Sequence, residues 1–153
     1  METRRTKLPG LPAAKVEIDA MLLANGVEVR EGMLYVLGGG WMRCWPSPGQ
    51  PFPYDKQVQV CLLLRVPYHE TNMDHTFAVA LRDSDEQPIA PGANGNFRVG
   101  REVALTDGMS QLVPIAFQQV VKIAAPGIYY VVVEIDGEER KRIAFEALTM
   151  APR

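Results

Sequence analysis

Apolar and polar residues alternate with a period of two over much of this chain. Val16, Ile18, Ala20 and Leu22 are interleaved with Glu17 and Asp19, which is the pattern of a strand with one face on a core. From Leu22 to Trp45 the sequence reads LLANGVEVREGMLYVLGGGWMRCW, with β-branched and apolar residues between Asn-Gly, Glu-Gly and Gly-Gly-Gly breaks. Glycine admits the positive φ of a reversal, and Val, Leu and Tyr suit a pleated, half-buried surface. Strands are therefore predicted over residues 27–30, 33–37 and 41–45.

The Pro-rich run PSPGQPFPYD at residues 46–55 excludes both helix and central strand and must lie on the surface. Residues 58–66 follow, with Val58, Val60, Leu62, Leu64 and Val66 on one face and Cys61 and Leu63 on the other, the signature of a strand in the middle of a sheet. Further strands are predicted at residues 76–82, 96–99, 111–117, 120–123, 128–135 and 142–148, with Phe77, Val79 and Leu81 pointing inward. Pro114 calls for an edge position or a bulge, and Asp136-Gly137 marks a two-residue hairpin turn. Helical periodicity is absent apart from a short turn near residues 102–109. The expected architecture is all-β, an antiparallel β-sandwich of eight or nine strands with little helix.

Residues 1–15 read as a flexible N-terminal arm, 16–149 as a single domain and 150–153 as a short tail. The chain has 153 residues, 47% of them apolar and 22% charged, enough for one core without staples. A net charge of −2 supplies no basic field for nucleic acid. No apolar run has the length of a signal-peptide core or a membrane span, so a cytoplasmic protein with no membrane partner is expected. Two cysteines, Cys44 and Cys61, fit a reducing compartment, and they could face one another across the core.

Pro126-Gly127-Ile128-Tyr129 is similar to the entry of a late strand in immunoglobulin-like sandwiches, where the Tyr hydroxyl caps a corner of backbone. LLAN-x-VEVREG-x-LYVLGGGW at residues 22–41, together with Pro51-Phe52-Pro53, Pro126-Gly127-x-Tyr129 and Ile135-Asp136-Gly137-Glu138, resembles a family of uncharacterised bacterial proteins of about this length, over residues 18–148. The resemblance implies a fold and a bacterial origin and transfers no catalytic residue.

Chemistry is sparse. His69, Glu70, Asp74 and His75 cluster in YHETNMDH and could hold a divalent metal if folded together, although the spacing matches no established metal motif and a solvated polar loop is the favoured reading. Asp83 and Asp85 lack the Gly and distal Glu of a calcium loop, and an Asx turn accounts for them. Gly38 to Gly40 are followed by no Gly-Lys-Ser/Thr and no helix, which leaves a bulge or a close strand crossing. No serine lies in G-x-S-x-G, and no cofactor is implied.

Trp41, Arg43 and Trp45 share a face of their strand if it is regular, and exposed indoles there could stack on sugar rings, unless Trp41 packs in the core. Alternating connections place the loops at residues 69–74, 101–108 and 136–139 at one end of the sandwich. The Pro-rich loop, with Phe52 and Tyr54, falls at the other end, where stiff apolar loops suit protein contacts. Three readings follow. The first is a non-catalytic protein acting through protein contacts, as a homo-oligomer or accessory subunit. The second is a small-ligand or carbohydrate-binding module using Trp41 and Trp45. The third is a metal-dependent enzyme built on His69, Asp74 and His75.

Overall fold

In a computed structural model, residues 14–153 are described; the expected arm lies, except for Ala14 and Lys15, outside the described residues. Ten strands follow in chain order: β1 (Glu17–Ala24), β2 (Gly26–Arg30), β3 (Met33–Leu37), β4 (Arg43–Cys44), β5 (Tyr54–Pro67), β6 (Asp74–Asp83), β7 (Ala93–Arg98), β8 (Ser110–Ile123), β9 (Gly127–Ile135) and β10 (Glu138–Ala147). They form a three-stranded sheet in the order β1-β5-β8, a five-stranded sheet in the order β4-β10-β9-β6-β7, and a separate β2-β3 hairpin. Pairing is antiparallel throughout except between β4 and β10. The fold is an all-β antiparallel sandwich.

Period-two patterning decides which face each sheet buries. Val58, Val60, Leu62, Leu64 and Val66 of β5 are all buried, as are Val79 and Leu81 of β6 and Val131, Val133 and Ile135 of β9, and the core joins side chains of both sheets. Each such aliphatic side chain contributes about 1.5–3 kcal/mol on leaving water. Val132 points the other way yet is also buried. Its register partners are Ala80 and Arg142, and the Arg142 guanidinium is fixed by Glu86 at 2.6 Å and Glu139 at 2.7 Å, so its aliphatic stem can cover the valine.

The strand expectations need three adjustments. Residues 111–117 and 120–123 belong to one 14-residue strand, β8, in which Pro114 is tolerated because β8 has β5 on one side alone. The strand expected at residues 41–45 shrinks to the two residues of β4. The turn region at residues 102–109 contains reversals, with Leu105 N–H donating to Glu102 O and Met109 N–H to Thr106 O, while the single 3-10 turn among the described residues is Tyr68–Glu70.

Both two-residue hairpins take positive φ at each central residue, at Glu31 and Gly32 and at Asp136 and Gly137, as the right-handed strand twist requires. The triple glycine is a close crossing. Gly40 N–H donates to Leu23 O at 2.7 Å, and a Cβ on Gly39 would press on Val36 Cγ1 at 2.9 Å. Cys61 belongs to the outward face of β5 and its thiol reaches Leu22 O at 3.5 Å, whereas Cys44 sits in the core with its Sγ accepting from Tyr54 Oη at 3.6 Å. The two free cysteines therefore do not face each other.

Candidate functional site

Trp41, Arg43 and Trp45 do converge. With Asn25, Cys44 and Lys56 they line a cavity of about 340 Å³. Trp41 is half-buried, its ring packed edge-on against Phe145 at 5.4 Å with Lys56 Nζ 4.9 Å from its centroid. Its indole Nε1–H is buried without an acceptor, which costs about 1–3 kcal/mol. Trp45 is 44% exposed. So the first indole is chiefly structural and the second is open.

Phe52 and Tyr54 behave otherwise than the sequence implies. Tyr54 is 6% exposed and stacks edge-on with Phe52 at 5.2 Å, and Phe52 packs against the core. The Phe52-Pro53 peptide is cis. Burial, followed by the Cys44 thiol, pushes the Tyr54 hydroxyl pKa upward. These two rings anchor the Pro-rich loop to the core instead of standing exposed on it, because an apolar ring beside an open sandwich end is buried by closing that end.

The metal candidates are separated by their own partners. His69 pairs with Asp107 at 3.0 Å, Asp74 with Arg98 at 2.9 Å, and His75 is 4% exposed with Nδ1 2.9 Å from Asp136 Oδ2 and Nε2 2.9 Å from Glu70 O. Both nitrogens of His75 face oxygen acceptors, so the ring satisfies both only as the imidazolium. Burial opposes that charge, but the Glu70 carbonyl and the Asp136 carboxylate outweigh it and raise the His75 pKa. Asp136 is lowered: burial works against its charge and is overcome by His75 and the Thr76 N–H. Among the described residues no three His, Cys, Asp or Glu side chains are grouped for a metal.

The loops expected to share one end do so. Arg101 Nε donates to Thr71 Oγ1 at 2.8 Å and Nη2 to Tyr68 O at 3.0 Å, with its guanidinium 3.8 Å from the Tyr68 ring centroid. Asp83 Oδ1 accepts from the backbone N–H groups of Asp85 and Gln87, each at 2.9 Å, the Asx arrangement anticipated there.

One feature escaped the sequence reading. Met33, Tyr35 and Leu37 alternate along β3 and stand 52%, 49% and 75% exposed. Opposite them in β2, Arg30 pairs in register with Met33 and Glu28 with Tyr35, and Arg30 and Glu28 form an ion pair at 2.8 Å. Glu28, Arg30, Tyr35, Val36 and Leu37 border a shallow cavity of about 290 Å³. The signal was present as the unbroken apolar run of residues 33–37, but an unbroken run predicts burial on both faces, whereas here Leu34 alone is half-buried and the other four residues are exposed.

Residues 19–148 match a family of unknown function, DUF6941. The chain belongs to the DUF6941 family. No curated protein matches it. Among solved structures, this DUF6941 chain is similar to a mutant β-glucosidase from Listeria innocua in complex with laminaribiose, at 10% identity and a TM-score of 0.47, over 90% of this chain and 16% of that one. It is also similar to a Pseudomonas fluorescens alkylpurine DNA glycosylase bound to DNA containing an abasic site analogue, at 15% identity and a TM-score of 0.43, over 88% of this chain and 30% of that one. The DUF6941 chain thus spans a minor part of each of those proteins.

Proposed function

We propose that this protein acts without catalysis, through contact with another protein chain, and that the β2-β3 hairpin is the contact surface. The observation that carries this reading is the exposed row Met33, Tyr35 and Leu37 beside the Glu28–Arg30 ion pair. Aromatic and Met side chains with a polar margin are the composition of an interface centre and rim. Leu22 of β1 and Leu112 of β8, also exposed, stand on the two edge strands of the three-stranded sheet, and an exposed apolar row of this kind marks a contact surface. The partner is a second copy or a larger complex to which this chain is accessory.

The Tyr129 hydroxyl donates to Ala125 O at 2.6 Å, which supports kinship with immunoglobulin-like sandwiches. Two buried free thiols support a reducing, cytoplasmic setting, and among the described residues no helix is long and apolar enough to cross a membrane.

A photo-crosslinking residue placed at Tyr35, compared with one at the fully exposed Val103, tests the reading in cells. The expected result is one adduct of defined mass from position 35 and none from position 103. Equal adducts from both, or none from either, would overturn it.

A further inference from the structure

The cavity of Asn25, Trp41, Arg43, Cys44, Trp45 and Lys56 has a lining unlike the rest of the surface: two indoles, two cations and no carboxylate. Six arginines elsewhere, Arg30, Arg65, Arg82, Arg98, Arg140 and Arg142, are held by carboxylates, and Arg101 is held by Thr71 Oγ1 and Tyr68 O. Lys122 and Lys141 form no ion pair among the described residues, and neither do Arg43 and Lys56. Lys56 is instead laid over Trp41, a contact that fixes the ammonium at the cavity without neutralising it.

We propose that this cavity binds a small organic anion, a carboxylate carried on a ring. Its carboxylate is taken by the Arg43 guanidinium, whose planar fork matches two oxygens, together with the Lys56 ammonium. Its ring lies on the exposed indole of Trp45, which offers a flat apolar face at little conformational cost. Asn25 supplies a neutral donor and acceptor at the margin. The volume of about 340 Å³ lies at the small end of ligand pockets, suited to one ring and excluding a polymer wrapped along the sheet. This site adjoins the β2-β3 hairpin through Asn25, whose N–H donates to Leu37 O at 2.9 Å, but it shares no lining residue with the contact face, so either proposal can fail alone.

A six-membered acidic sugar and an aromatic acid share this chemistry, and glucuronate and benzoate stand for the two sources. The chain has two tryptophans and both line the cavity, so the two indole N–H signals in a proton–nitrogen correlation spectrum report on this site. Glucuronate or benzoate is expected to shift both signals to saturation, and whichever does so identifies the ring class. Arg43→Gln or Lys56→Gln weakens the saturating acid about tenfold, while Lys56→Arg retains it; an unchanged backbone spectrum in each variant shows that the fold survives. Glucose and inorganic phosphate are expected to leave both signals in place. Saturation by glucose as readily as by glucuronate, an equal response to phosphate, indifference to both Gln variants, or no saturation by either acid would each overturn the proposal.

Discussion

Leu62 and Leu37 are the same side chain in opposite surroundings, at 0% and 75% exposure. Leu62→Ala is predicted to cost about 2–5 kcal/mol through lost burial and a cavity, and Leu37→Ser less than about 0.5 kcal/mol; urea unfolding of the two variants checks the contrast. His75 supplies a pH signature. Its pKa is raised from 6.5 in the fold, so its contribution is complete below about pH 6.5 and is lost as pH rises through the raised value. Asp136 is lowered from 3.8, so its contribution is present above about pH 3.8 and is lost as pH falls through the lowered value. The pair therefore stabilises most between those two reference values. Urea titrations at about pH 5.5 and about pH 8.5 should show wild type losing more stability than Asp136→Asn across that rise; equal losses would contradict the imidazolium assignment. Core positions such as Val60 and Leu62 were legible from alternation alone. Tyr54 was not, because a residue in a Pro-rich run gives no period to read, and its burial follows from closure of the sandwich end.

At the level of the element, turn chemistry separates what glycine does in two places. Gly32 and Gly92 both have positive φ, at 73° and 69°. A Cβ at Gly32 meets nothing, while one at Gly92 would run into the carbonyl oxygen of Val79. Gly32→Ala is predicted to cost about 1–2 kcal/mol from the left-handed backbone alone, and Gly92→Ala more, since backbone must also move; thermal unfolding of both ranks them. The Asp136-Gly137 hairpin was legible because that dipeptide has a specific use. The Asn25-Gly26 break had the same look, yet Gly26 opens β2 and the chain there leaves one sheet instead of reversing within it. A dipeptide signal reports a local φ preference and says nothing about which sheet the next strand joins. For the same reason β4 proved short: its pairing with β10 is a long-range parallel contact invisible to local pattern.

Over the whole molecule, two layers with a sealed aliphatic interior were legible, and so was membership of an uncharacterised family, matched over residues 19–148. The exposed face of β3 was not legible, because burial is decided by how the hairpin sits against the three-stranded sheet. The proposed function requires the exposed face of β3 to be covered by another protein chain. Native mass measurement of the endogenous complex, for wild type and for Leu37→Asp, tests this most directly. Wild type is expected to carry a second chain, its own or another, and the substitution to release a folded monomer. A wild-type monomer, or an assembly that Leu37→Asp leaves intact, would contradict it.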